Sequence, residues 1–524
     1  MYIAEEVIEP FWAEYSTEAS GRDPLAIQNS SVVIYSKMIV GITNVTNRIR
    51  YNGFFCWIFD TIAKNIKKRN SLPEQLKFSR RAELLLAFIM VKNFRGITGI
   101  SGSNYAVNNL RSRLSLKRGA DWENKSEGGS GLYWRFKAGI FGQYYSGVMR
   151  DLNLINHPKD ELNIYTLTKS GSELAKAFEN NIPLKARTLF WESVSEGFVD
   201  EIDLLELNSF ALHLVPNDSD ELLIYEQLLL AKDDRKLIPT YNRKDTIKLL
   251  LEHLAARTKG VNDLMASFLS DNYQKHVRLK RISFTSATTW YLYEMNELLH
   301  LAFEYFHACF LYTIETYPTL LEKSVDSLNK DTAKTLKSDK IDSKSCLVKD
   351  LIKKLENDNH GTYYYCSEME ASFKVSKFGE TLKNAIYLLF NIYLENKIHL
   401  KNLEEFGNLH ENNFNRSGYA IEILNDLVQG RLHETLVDYI QNIILAAINR
   451  HLYSSYSKSR IGQALVHNYM IEGQMVWQLR QTLPSRTNPR LQNAIQYMTD
   501  IGWIQWANDK YSITNQGTTI LQSI

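Results

Sequence analysis

Proline and cysteine are both scarce, at 10 and 4 in 524 residues. Few prolines remove the commonest helix breaker, and long stretches with apolar residues three and four apart read as helix. The four cysteines, Cys56, Cys309, Cys346 and Cys366, lie far apart without metal-ligand spacing. That excludes a zinc ribbon and predicts reduced thiols of a cytoplasmic protein. No apolar run approaches the roughly 18 residues that suggest a membrane span. Met1 to Glu9 carries acids where a signal peptide carries bases, so neither export nor a membrane partner is expected. His360, His399, His410 and His433 show no pairing at metal-ligand spacing, and no Gly-x-Ser-x-Gly elbow is present. Gly96, Gly99 and Gly102 lack both the Lys-Ser/Thr ending and the preceding strand of a phosphate loop. No metal and no cofactor is therefore expected.

What is present is aromatic and unevenly charged. Aromatic residues make up 12%, and the formal net charge is only +2. From Lys37 to Arg150, however, 20 Lys and Arg stand against 6 Asp and Glu, while Glu192 to Asp234 holds 12 acids and one base. A basic block of this kind suggests a polyanion. The alternative is that the two blocks face each other, or another subunit. Within the basic block the candidate nucleic-acid contacts are Arg48, Arg50, Arg111, Arg113, Arg135 and Lys137.

The last forty residues carry the clearest local pattern. Arg486-Thr487-Asn488-Pro489-Arg490 precedes apolar Leu491, Ala494, Ile495 and Met498, and Gly502 then stops the helix. Asn488 reads as an N-cap and Pro489 as a first-turn residue. Two alternating runs around Asn508-Asp509 read as a β-hairpin. This succession resembles the back half of a winged helix-turn-helix. The same cadence occurs earlier: Tyr144, Val148, Met149 and Leu152 share a helical face and lead to Leu154-Ile155. The strings Tyr165-Thr-Leu-Thr-Lys-Ser-Gly171 and Tyr511-Ser-Ile-Thr-Asn-Gln-Gly517 match in order. In winged helices the second helix enters the major groove, so the resemblance implies duplex contacts from Arg486, Thr487, Asn488 and Arg490. Docking of another protein is the alternative use of such a module, with Asn488 acting only as a cap.

Asp23-Pro24-Leu25 and Gly41-Ile42-Thr43-Asn44-Val45-Thr46-Asn47-Arg48-Ile49-Arg50-Tyr51 resemble the opening of large prokaryotic proteins found near antiphage defence genes. The expected fold is mainly α and multidomain, with two small winged-helix (α+β) elements. The expected segments are a basic helical domain at 1–132, a winged-helix-like element at 133–182 and an acidic, then aromatic-rich, helical domain at 183–326. A polar loop or hinge at 327–345, a helical domain at 346–460 and a C-terminal winged helix at 461–524 follow. Tyr363-Tyr364-Tyr365 could form one short strand.

The expected function is a non-catalytic DNA-binding or sensor subunit of an antiphage defence system, with DNA and a separate ATPase or nuclease subunit as partners. Two alternatives remain open. Winged-helix parts separated by a helical middle also resemble a kleisin-like bridge for an SMC-type ATPase. Arg460 and His467 resemble the Arg/His pair of HEPN ribonucleases, although Ile461 stands where that family has a polar residue. Their structural reading is support for the C-terminal module. Glu395-Asn396-Lys397 imitates the acid-x-lysine step of a metal-dependent nuclease, but reads better as a helix end.

Overall fold

The computed structural model describes residues 23–66, 71–126, 131–156, 164–230, 241–409, 420–458 and 466–524. The fold is mainly helical, with three small antiparallel sheets among the described residues. No described helix is long and apolar enough to cross a membrane. The chain divides into two compact units, each assembled from stretches far apart in sequence. One comprises Met1–Ile34 with Leu269–Thr487; the other comprises Tyr35–Phe268 with Asn488–Ile524. The six consecutive segments expected from composition do not coincide with these units, because composition cannot register which distant stretch packs on which.

The unit built from 35–268 and 488–524 is organised around helix Arg50–Asn65. Its run Phe54-Phe55-Cys56-Trp57-Ile58-Phe59 is buried throughout, as a helix apolar on all faces requires. Neighbouring rings close on it, with Phe54 5.9 Å from Phe190, Trp57 5.2 Å from Phe210 and Phe59 4.5 Å from Phe141. Helix Leu72–Asn93, opened by Pro73 in its first turn, supplies a second buried axis.

The two matching strings take the same local structure. Helix Ser146–Asp151 ends through Asn153 at φ 56°, and Leu154 N–H returns to Met149 O at 2.8 Å. Helix Leu491–Asp500 ends through Gly502 at φ 79°, and Trp503 N–H returns to Met498 O at 2.9 Å. Ile155 then bridges Leu167 as Ile504 pairs Ile513. Thr168 and Thr514 each donate to the carbonyl of that left-handed residue, Asn153 or Gly502, at 2.6 Å. Each Oγ1 also accepts from Gly171 or Gly517 N–H at 3.0 Å, capping helices Lys169–Asn180 and Asn515–Ser523. The Asn508-Asp509 turn has φ 53° and 57°, the left-handed pair that closes a two-residue hairpin.

A Cβ on Gly171 would lie 2.0 Å from Leu154 O, and one on Gly517 2.0 Å from Trp503 O. Both obstacles are backbone atoms that cannot rotate away. Gly517→Ala is expected to lower stability by about 2–3 kcal/mol. Urea denaturation checks this; a loss below a few tenths would show that the cap shifts freely.

The unit built from 23–34 and 269–487 surrounds helix Ser286–Thr313, almost all of it buried. Around it lie helices Leu321–Ser338, Val348–Leu355, Thr362–Lys374, Phe378–Asn396 and Leu436–Lys458. Strand Met475–Gln478 sits between Thr319–Leu320 and Tyr469–Glu472. Two expectations are corrected here. The hinge placed at 327–345 is largely helix, because Leu328, Thr332 and Leu336 continue a buried face from Val325 while the charges point outward. Tyr363-Tyr364-Tyr365 lies in helix Thr362–Lys374 and not in a strand.

Candidate nucleic-acid interface

The basic block separates into buried and exposed arginines. Arg48 is 6% and Arg50 1% exposed. Arg48 Nη1 meets Asp500 at 2.6 Å and its other nitrogens donate to Thr98 O. Arg50 binds Glu221 through Nε at 2.8 Å and Nη2 at 3.2 Å, and its Nη1 donates to Ser209 O and Ala211 O. Burial pushes the Asp500 carboxyl up to about 6, and the Arg48 guanidinium keeps it ionised at neutral pH. As nucleic-acid contacts, Arg48 and Arg50 are corrected: they are interior ion pairs. Lys92 also reaches the acidic stretch, at 2.5 Å from Glu201. Part of the charge asymmetry therefore cancels inside the molecule, as the facing-blocks alternative anticipates.

The C-terminal string is engaged as well. Arg486 Nη1 pairs with Glu294 at 2.8 Å, and Thr487 N–H donates to Glu297 at 2.6 Å. Asn488 Oδ1 accepts from Arg490 N–H at 3.1 Å, so it caps a turn and not the helix, which begins at Leu491. Arg490 adopts φ 63°, donates to Ile42 O and covers the Tyr35 ring at 5.1 Å. Arg486 and Arg490 are thus engaged by protein groups, although Arg486 and Asn488 remain exposed. The cue was present: Glu294, Glu297 and Glu304 recur along an otherwise apolar helix, and buried carboxylates need donors.

Four candidates keep their charge outside. Arg111, Arg113, Arg135 and Lys137 are exposed, together with Lys117, Arg118 and Lys125. None of these seven has an ion-pair partner among the described residues. Arg80, buried inside helix Leu72–Asn93, fixes the segments that present them. Its Nε donates to Ala120 O at 2.6 Å, and its Nη atoms to Phe136 O and Trp134 O at 2.6 and 3.1 Å. Tyr133 N–H adds a bond to Gly119 O at 2.9 Å. One interior guanidinium thus holds the Lys117–Arg118 and Arg135–Lys137 stretches side by side. Its neighbour Arg81 clamps Asp121 bidentately at 2.7 and 2.6 Å, removing that carboxylate from the surface.

Aromatic rings lie among these cations. Arg113 and Lys117 sit 5.3 and 5.0 Å from the Phe198 ring centre, and Lys125 lies 5.0 Å from that of Trp122. Phe136 is 46% exposed between Arg135 and Lys137. Strand Arg113–Ser115 pairs with Phe198–Asp200, which places Asp200 opposite Arg113. Arg80, the organising residue, is missed by composition. The signal for it is an Arg-Arg pair just before the apolar run Leu84 to Val91 of the same helix.

No family model, curated protein or solved structure matches the chain. The site is consequently read from its own geometry.

Arg460 lies outside the described residues. His467 is buried beside the Tyr456 ring at 6.0 Å, and burial, with Arg480 nearby, holds its imidazole below the ordinary value. Glu395 accepts from Thr362 N–H, Thr362 Oγ1 and Tyr273 OH, and Lys397 pairs with Glu356. These contacts give the acid-x-lysine string a structural role at a helix end. The four cysteines are free thiols.

Proposed function

We propose that this chain is a non-catalytic nucleic-acid-binding or sensor subunit of a prokaryotic antiphage defence system. It would act in the cytoplasm with a separate ATPase or nuclease subunit supplying the chemistry. The observation that carries the nucleic-acid part is the tract Arg111, Arg113, Lys117, Arg118, Lys125, Arg135 and Lys137, exposed and without carboxylate partners among the described residues. Phosphates satisfy such unpaired cations and release condensed counterions on binding. The defence setting rests on the resemblance of the Asp23–Tyr51 stretch. The helix–hairpin at 491–513 and the helix with its single Ile155–Leu167 bridge are read as winged helices serving as scaffold and docking modules, since Arg486 and Arg490 are already engaged. The kleisin-like alternative has less to rest on, because both motifs belong to one compact unit.

Mobility shifts of a DNA duplex by the purified protein test this at two salt concentrations. Changing Arg111, Arg113, Arg135 and Lys137 together to Ala should weaken binding about a hundredfold or more at low salt and reduce the salt slope by roughly three to four units. The melting temperature should stay within a degree or two of wild type, about what exposed substitutions cause. Unchanged affinity and salt slope in this variant would remove the tract from the reading.

A further inference from the structure

A cleft of about 590 Å³ opens in the unit that contains helix Phe378–Asn396. Its volume falls in the range of small-molecule sites. Four carboxylates line it, those of Asp339, Asp358, Glu368 and Glu380, against the two ammonium groups of Lys354 and Lys383. Both lysines converge on Asp339. Lys383 meets its carboxylate at 3.0 Å, and Lys354 donates to its backbone carbonyl at 2.8 Å. Glu380 lies 3.5 Å from Lys377.

The other side of the cleft has no such cation. Asp358 accepts from His360 Nδ1 at 2.7 Å and from the Tyr365 hydroxyl. Burial works against its charge, but these bonds hold the carboxyl below its usual range. Glu368 follows Tyr364 by four residues and Tyr365 by three on helix Thr362–Lys374, which brings it onto their face. It has no ion-pair partner among the described residues. The Tyr364 ring is 44% exposed and is backed by His360, stacked at 4.0 Å. A π-face beside two carboxylates suits a desolvated cation.

The second observation is Asn384, which lines the cleft yet is only 5% exposed. Two other buried asparagines on the same helix are satisfied: Asn391 donates to Tyr387 O and Asn396 to Ile392 O and Tyr273 OH. The Asn384 amide has no hydrogen-bond partner among the described residues. Its amide atoms are not enclosed by protein, so they face the cleft and are free to bond a ligand there.

We propose that this cleft binds a small organic cation carrying two amino groups, a diamine or short polyamine, through Asp358, Glu368, the Tyr364 ring and the Asn384 amide. With Lys377 beside Glu380 the carboxylates outnumber the ammonium groups by one, and Asp358 and Glu368 are the two without a lysine, which sets the sign of the occupant's charge. The site is independent of the basic tract and of the nucleic-acid reading.

Isothermal titration of the full-length protein with putrescine and spermidine at low salt provides the test, with inorganic phosphate and AMP as anionic probes. The expected result is saturable binding of at least one amine. Glu368→Gln should weaken it about tenfold or more, as loss of one charged contact does. Asn384→Leu should weaken it several-fold with an unchanged melting temperature. Absence of amine binding up to about ten millimolar, weaker than any useful affinity, would overturn the proposal. Amine binding unaffected by both variants would place it on other surface carboxylates and also overturn it. Binding of phosphate or AMP that is lost in Lys383→Ala would reverse the charge assignment, with the same consequence.

Discussion

Arg50→Ala is expected to destabilise the protein by about 3–5 kcal/mol, because it strands the buried Glu221 carboxylate without its cation. Glu221 is fully buried, and its remaining partners are Asn181 Nδ2 at 2.7 Å and the Tyr225 hydroxyl at 3.1 Å. Neither neutralises a charge. The same substitution leaves Ser209 O and Ala211 O without the donor at 2.9 and 2.6 Å. Chemical denaturation of wild type and variant measures the loss directly. The double change Arg50→Met with Glu221→Leu should recover part of it, since an apolar pair of similar volume often replaces a buried ion pair at little cost. Recovery stays incomplete because the two carbonyls remain unsatisfied. A single-variant loss under about 1 kcal/mol would mean that water reaches Glu221, which is the range of a surface pair.

The second large effect is on pH dependence, through His451. Its Nδ1–H donates to Pro24 O at 3.0 Å, and its Nε2 accepts from Asn468 N–H at 3.0 Å. An acceptor at Nε2 requires the neutral ring. Around it stand the His307 ring at 4.6 Å, His467, Arg480 and Lys458. Burial first pushes the imidazole down to about 4, against the Pro24 carbonyl, and His467, Arg480 and Lys458 add smaller pushes in the same direction as burial. His307 is likewise held far below its usual range by burial and by His451.

A histidine depressed in the folded state stabilises fully above its unfolded value and loses that stabilisation as pH falls through the folded one. Between pH 7.5 and 5 the loss from His451 is about 2 kcal/mol, on the usual 1.36 kcal/mol per unit. Glu304 acts in the opposite sense. Burial raises its carboxyl to about 8, so its contribution fades as pH rises through that value. The clean measurement is therefore a difference. His451→Gln should be much less stable than wild type at pH 7.5, and the gap should shrink by about 2 kcal/mol at pH 5. A gap that is constant with pH would show that His451 is protonated or hydrated in the folded state.

Local patterns were legible in the amino-acid order because their causes are local. The Gly502 stop and the Asn508-Asp509 turn follow from left-handed φ, and the likeness of the two Tyr-to-Gly strings from a hydroxyl three residues from an N–H. The excess of charge around Arg111–Lys137 was also readable, and its seven bases are on the surface.

Exposure itself was not readable. Arg48 and Arg111 are the same residue type in the same basic block. Only the long-range fold decides that one meets Asp500, 452 positions away, while the other faces solvent. Arg486 and Arg490 were likewise engaged by Glu294 and by the Ile42 carbonyl, partners that no local window contains. The polar stretch 327–345 misled for a related reason. Its composition averages over all faces of a helix, whereas burial selects Leu328, Thr332 and Leu336 on one of them. The amino-acid order by itself therefore determined the mainly helical class, the Gly502 stop, the Asn508-Asp509 turn and the sign of the charge. Tertiary structure alone decided which charges pair inside and which remain outside for a partner, because burial makes an unpaired ion costly and supplies its counter-ion from anywhere in the chain.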